Sequence, residues 1–261
     1  MSDLTPRESD TSSDAELELS VVVLAFAAGE SLRGFVATVV EALAELDVPW
    51  EIVLVANYWP ASGDATPAVS RALAAADPRI EVVAAPKRGG MGWDMRSGFD
   101  VARGRYVAVI DGDGQMPGRD VVRVFRAVRE GAAGLGKTYR TRRHDGALRE
   151  VLSAGYNALF RLLFPGLRAR DVNAKPKVLR RELLARMALE SDDWFVDAEI
   201  LIAARRFGLG IVELPTEFGR LEARPSFVRP GAVLEFLWNL ARHRVREWRR
   251  PAAGRETATR P

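Results

Sequence analysis

The chain has no cysteine and only two histidines, His144 and His243, among 261 residues. That excludes a disulfide framework, thiolate-held zinc or iron–sulfur centres, and a cysteine nucleophile. Histidine-rich metal sites are excluded as well. A catalytic metal would have to rest on carboxylates, which suit hard cations such as Mg²⁺ or Mn²⁺. Apolar runs long enough to span a bilayer, roughly 20 residues, are also missing. The start of the chain lacks the basic-then-apolar pattern of a secretory signal. The expected location is therefore cytoplasmic, and any membrane contact peripheral, on the inner face of the cell membrane.

What is present is globular in character. Hydrophobic residues make up 48% and charged residues 28%, which rules out fibrous and wholly disordered chains. The net charge of +3 is unevenly spread. Residues 1–18 carry six acids against Arg7, a balance of −5, so residues 19–261 carry +8. The acidic segment 1–18 reads as a disordered leader, and 251–261 as a disordered tail. The basic body calls for an anionic partner.

From Leu19 onward, apolar runs alternate with helical patterns. Leu19–Phe26, Glu51–Ala56, Ile80–Ala84 and Tyr106–Ile110 read as strands, each continuously apolar or nearly so, as buried parallel strands are. Between them, Glu30–Leu46, 64–76 (with Asp64 as cap) and Met91–Ala102 read as helices. This order predicts one α/β domain over 19–229, a mostly parallel sheet with helices on both faces. The later half predicts helices over Asp120–Glu130, Ala147–Phe164, Arg180–Leu189 and Asp197–Phe207. Extended pieces are expected at 134–140, 171–179 and Ile211–Leu214. A last helix is read over Pro230–Arg250.

Chemistry concentrates where the fourth strand ends, at Asp111-Gly112-Asp113-Gly114-Gln115. Ligands bind beyond the carboxyl ends of strands in such sheets. One or two carboxylates together with substrate phosphates are the usual way of holding Mg²⁺. A second candidate is Gly131–Thr138, which matches the phosphate-loop pattern GxxxxGK[ST] at every fixed position. That pattern needs a strand before it and a helix after it. Here a helical pattern precedes it and no apolar helical stripe follows, so a helix end at Gly131 leading into a short strand is the favoured reading.

The order of motifs resembles family-2 glycosyltransferases of the GT-A fold, especially the dolichyl- or polyprenyl-phosphate mannose synthase branch. Six segments carry the resemblance: Phe26–Leu32 with Glu30, Val55–Trp59 with Asn57, Arg88–Gly104 with Arg96, Asp111–Pro117, Arg149 with Ser153, and Asp197–Glu199 with Glu213–Pro215. The sequence departs from the family at Ala27, Ala28, Ala56 and Asn57, where the family carries the residues that contact base and ribose. The resemblance implies a metal-dependent, inverting hexosyltransferase. Asp111 and Asp113 would hold Mg²⁺ or Mn²⁺ on a nucleotide-diphosphate sugar, and Asp113, Gln115 and Glu199 would serve catalysis. Phe26, Glu30, Asn57, Arg96, Asp111 and Gly112 would bind the donor. Arg140, Arg149 and Ser153 would bind the phosphate of an acceptor such as a polyprenyl phosphate, with Arg142, Arg143, Lys175 and Lys177 as further cations.

The helix over 230–250 combines apolar spacing with Trp238, Trp248 and five arginines, a pattern that can lie in a membrane interface. Competing classes fit less well. A nucleotidyltransferase would show a basic, glycine-rich signature after the first strand, where this chain reads Ala27-Ala28-Gly29-Glu30. A dinucleotide dehydrogenase would show GxGxxG there. A nucleic-acid-binding module would not place Asp111 and Asp113 together, where they repel phosphate without a metal, so no nucleic-acid partner is expected.

Overall fold

A computed structural model describes residues 16–142, 147–167, 169–219 and 238–246. Of residues 142 and 147–154 it describes the backbone alone. The acidic leader up to residue 15, the tail and most of the 230–250 segment lie outside the described residues.

The strands are β1 (Leu19–Leu24), β2 (Trp50–Val55), β3 (Ile80–Val83), β4 (Tyr106–Asp111), β5 (Leu135–Arg142), β6 (Lys177–Arg180) and β7 (Ile211–Glu217). They form one sheet in the order β3-β2-β1-β4-β6-β5-β7. All run the same way except β6, which is antiparallel to both β4 and β5. The parallel core explains the apolar runs read from sequence. Val21, Val22, Val23, Ile52, Val53 and Leu54, like Val107 to Ile110, are wholly buried, because helices cover both sides. Each such side chain contributes about 1.5–3 kcal/mol on burial.

The helices are α1 (Ser31–Leu43), α2 (Thr66–Ala76), α3 (Met91–Val101), α4 (Arg119–Glu130), α5 (Ala147–Leu163), α6 (Arg181–Met187) and α7 (Val196–Arg206), followed by α8 (residues 238–246). α1, α2 and α4 place residues in one apolar core with Val21, Val23, Ala108 and Ile110. α3, α5, α6 and α7 cover the other face with Val22, Val107, Val109 and Leu179. Element boundaries differ from the expected ones by a few residues. The larger differences are that only 177–179 of the expected 171–179 segment is strand, which runs on to Arg180, and that β7 runs on to Glu217. Asp64 is not the helix cap. That position is Ala65, while Asp64 accepts the Thr66 amide at 2.9 Å in the turn before α2.

Gly131–Thr138 is settled by its neighbours. α4 ends at Glu130, and Gly136, Lys137 and Thr138 lie inside β5. A strand, not a helix, directly follows the glycines, so no helix N-terminus there faces a phosphate with its amides. The Lys137 ammonium is fully buried, 3.2 Å from Glu213, and donates to the carbonyls of Thr138 and Asp171. The phosphate-loop pattern here is a buried strand lysine.

Candidate active site

The strand order reverses between β1 and β4. β2 and β3 extend from one side of β1, while β4 starts the other. Such a switch opens a crevice at the carboxyl ends of the strands. Leu24, Val55 and Asp111 stand level across β1, β2 and β4. Gly112 donates its amide to the Leu24 carbonyl at 2.9 Å and Ala25 to Val55 at 2.9 Å, so the ladder runs on into the loops. Phe26, Asn57 and the Asp111–Gln115 loop are thereby delivered to one edge.

In that loop Asp113 accepts the Gln115 amide at 3.0 Å. Gly114 takes a φ of +75°, which a side chain would strain. Gln115 ties the loop to the segment after β7, its Nε2 donating to the Gly219 carbonyl at 3.2 Å and its carbonyl accepting the Gly219 amide at 2.8 Å. Gly112 is accounted for by packing, since a Cβ there would stand 3.0 Å from the Leu24 carbonyl oxygen.

The reversed strand β6 sets the electrostatics. Because it runs against β4, the residues leading into it arrive at the same edge where β4 ends. Val109 faces Lys177 in register, and two residues further on Lys175 stands opposite Asp111. Its ammonium lies 3.1 Å from Asp111 and 3.1 Å from Asp197. Met91 Sδ, at the start of α3, is 3.4 Å away. Lys177 also pairs with Asp197. Burial acts to discharge Lys175, but the carboxylates of Asp111 and Asp197 outweigh it and hold the ammonium above its ordinary range. Lys177 has a single carboxylate and two lysine neighbours, and burial brings it down to about 8. The two lysines expected to meet an acceptor phosphate are thus buried and paired with carboxylates. Asp197, in the resemblance segment Asp197–Glu199, is the buried partner of both.

The loops beyond β1, β2 and β3 are held by their own network. Asn57 is fully buried and donates to Asp94 and Ser97, both at 3.0 Å, while accepting the Ala85 amide at 2.9 Å. Lys87 pairs with Asp94 beneath the Phe26 ring, 4.4 Å from its centroid. Burial raises the Asp94 pKa despite Lys87 and Asn57. Arg96 pairs with Asp192, and the Trp93 amide donates to the Asp192 carbonyl at 3.2 Å. The 190–193 loop is itself held by Glu199, which accepts the amides of Glu190 and Ser191 at 3.0 Å each. A Cβ on Gly92 would stand 2.2 Å from the Ser191 carbonyl oxygen.

These placements redistribute the expected roles. Glu199 supports a loop, Glu30 is exposed and bridges to Arg33 at 2.8 Å, and Asn57 turns inward. Arg140 grips Asp171 through two bonds of 2.7 and 2.8 Å, so its guanidinium is already satisfied by a carboxylate. Arg149 and Ser153 lie one turn apart on α5. The side chains of Arg142, Arg149 and Ser153, and the whole of Arg143, lie outside the described residues. Sequence reasoning missed the contact of Lys175 with Asp111. Its only trace was a pair of lysines flanking a proline in an otherwise apolar stretch.

Residues 20–185 match the family model described as glycosyl transferase family 2. The chain belongs to this family. It is 30% identical over 220 residues to glycosyltransferase AglD of Haloferax volcanii, covering 82% of this chain and 35% of that protein. Over 175 residues it is 29% identical to the dodecaprenyl-phosphate galacturonate synthase of Rhizobium johnstonii, covering 66% of this chain and 51% of that protein. The chain therefore spans about a third to a half of the length of these two relatives. Among solved structures, a glucosyl-3-phosphoglycerate synthase from Mycobacterium tuberculosis in complex with Mn²⁺, UDP and glucosyl-3-phosphoglycerate superposes with a TM-score of 0.59 at 19% identity, covering 88% of this chain and 78% of that one. The family-2 chain thus has the GT-A fold that its motif order implies.

The carboxylates suit a hard cation in part. Among the described residues no three histidine or acidic side chains cluster as a complete protein cage. Asp113 is half-exposed on the loop beyond β4. A site of one carboxylate completed by substrate phosphates is an ordinary one for Mg²⁺.

Proposed function

We propose that this family-2 chain transfers a sugar from a nucleotide-diphosphate sugar to a phosphate-bearing acceptor, with a polyprenyl phosphate as the acceptor class. The observation that carries the reading is the placement of Asp111 and Asp113 at the β1/β4 switch, the edge where a GT-A sheet presents its ligands. The curated relative named for dodecaprenyl phosphate adds support for the acceptor class.

Asp113 is the residue to hold Mg²⁺ or Mn²⁺ on the donor diphosphate. The cation, when bound, would neutralise the charge of the departing nucleotide diphosphate. The chain's own residues do the rest. Gln115 anchors the loop that carries Asp113. Arg96 and the glycine-rich turn before α3 border the diphosphate. The acceptor needs little general base, because a phosphate monoester with a second pKa of about 6 is already largely ionised at neutral pH. It needs cations, and Arg149 and Ser153 on α5 are the residues in line for that task. A peripheral contact with a membrane is the remaining part of the reading. Among the described residues no helix is long and apolar enough to cross one. Trp238 on α8 is 70% exposed beside Arg242, and Leu162 at the end of α5 is 77% exposed. Aromatic and basic residues of this kind favour an anionic interface.

The test is thermal stabilisation by UDP-, GDP- and dTDP-sugars with Mn²⁺ or with EDTA, followed by transfer of labelled sugar to a polyprenyl phosphate. The reading expects one donor to stabilise the protein with Mn²⁺ and to be turned over, and Asp113→Asn to remove both effects. Equal turnover by wild type and Asp113→Asn would overturn it. Failure to float with anionic liposomes would overturn the membrane part alone.

A further inference from the structure

We infer that Lys175 is a built-in cation of the donor site, a positioning residue that occupies Asp111 and thereby directs the catalytic metal to Asp113. The inference rests on the proposed metal-held donor.

The geometry is specific. Lys175 Nζ sits 3.1 Å from Asp111 Oδ1 and 3.3 Å from Oδ2, so it straddles both oxygens of the carboxylate. The side chain is 2% exposed, against 29% for Asp111. The ammonium therefore approaches from inside the protein and leaves the open side of the crevice to ligands. It cannot swing away cheaply, because its other contacts are Asp197 at 3.1 Å and Met91 Sδ at 3.4 Å. Asp197 is in turn held by Lys177, which also donates to the Ala174 carbonyl at 3.1 Å. An ammonium removed from this position would leave Asp111 and Asp197 with only one buried cation between them.

The consequence concerns charge. A divalent cation drawn to Asp111 would meet an ammonium at hydrogen-bonding distance from the same carboxylate. Like charges at that separation repel strongly where water is scarce. Asp113, two residues beyond and half-exposed, is the carboxylate on which a cation escapes most of that repulsion. Lys175 also adds a fixed positive charge beneath the place where a diphosphate would lie. Pairs of charges arranged in advance cost no reorganisation when the ligand changes its own charge.

The probe is Mn²⁺ titrated at a fixed concentration of whichever of UDP, GDP or dTDP stabilises the wild type, read as the Mn²⁺ concentration giving half of the full thermal shift. Lys175→Met frees Asp111 and is expected to lower that concentration roughly tenfold, as befits removal of one unit charge close to the ion. Adding Asp111→Asn to Lys175→Met should return it to the wild-type value. Asp111→Asn alone leaves the ammonium uncompensated and should raise it by up to roughly tenfold, short of the abolition expected at Asp113. Asp113→Asn should abolish the Mn²⁺-dependent shift. Unchanged or weaker Mn²⁺ binding in folded Lys175→Met overturns the inference. So does loss of the shift in Asp111→Asn to the extent seen in Asp113→Asn, which also decides the matter if Lys175→Met does not fold. Absence of any Mn²⁺-dependent nucleotide shift in the wild type is a different pattern. It overturns the metal-held donor itself, and this inference with it.

Discussion

Asn57 turns its carboxamide away from the crevice and donates to Asp94 at 3.0 Å, inside a wholly buried network that includes Ser97 and the Ala85 amide. The residue just beyond β2 therefore fastens α3 to the sheet. Tyr58 and the 47% exposed Trp59 follow it in the chain.

Asn57→Asp should destabilise the protein by about 1–3 kcal/mol at neutral pH, since it replaces a buried hydrogen bond by two facing carboxylates. The loss should shrink on mild acidification, where one carboxyl regains a proton and donates again. Chemical denaturation at two pH values measures this. A variant as stable as the wild type at neutral pH would show that Asn57 is not committed to Asp94.

Lys137→Met should cost about 3–5 kcal/mol, the usual price of stripping one partner from a buried ion pair. Lys137 faces Glu213 at 3.2 Å with no exposed surface. Binding of nucleotide by the folded fraction should be unaffected. Specific loss of nucleotide binding without loss of stability would restore the phosphate-loop reading of Gly131–Thr138.

Gly92→Ala should lower stability by about 1–3 kcal/mol through overpacking, because the added carbon would meet the carbonyls of Ser191 and Asp193 at 2.2 and 2.7 Å. The same push separates α3 from the 190–193 loop that Arg96 grips. Nucleotide affinity should therefore fall together with the melting temperature. An intact affinity would mean that this loop lies outside the donor site.

Glu51 is buried on β2 and accepts from Ser20 Oγ at 2.7 Å, the Arg103 amide at 2.8 Å and Arg103 Nε at 2.9 Å. Burial opposes its charge, but these donors outweigh burial and hold its pKa below the ordinary 4.5. Its contribution is complete above that ordinary value and disappears as the pH falls through the lower, folded one. Glu51→Gln should be less stable by about 1.5–3 kcal/mol at neutral pH, the range for hydrogen bonds to a charged group. The gap to the wild type should close in acid. A gap that widens on acidification would contradict the assignment.

The parallel half of the fold was legible because β1, β2 and β4 are buried on both faces and so are apolar at all but one position each. Their ends located Asp111 and Asp113 for the same reason, since a carboxylate directly after five apolar residues marks the point where the sheet meets solvent. β6 was legible as part of an extended piece, but its direction was not. Its direction depends on pairing with β4 and β5, residues far away in sequence, and an antiparallel insertion leaves no periodic signature over four residues. The lysines at 175 and 177 were misread for a related reason. A charged residue in or beside a strand looks solvent-facing until its partners are known, and those partners, Asp111 and Asp197, come from two different elements.

Composition and pattern alone thus determined the α/β class, the family resemblance, the absence of thiol and histidine chemistry, and the strand end where the carboxylates gather. Local forces suffice for these, because burial and turn formation act on neighbouring residues. Tertiary structure decided which charges face one another: that Lys175 holds Asp111, that Asn57 is spent on Asp94, and that Glu199 braces a loop. The first of those outcomes depends on the reversal of a single short strand, which carries a buried ammonium to the edge of the sheet where its neighbour's carboxylate ends.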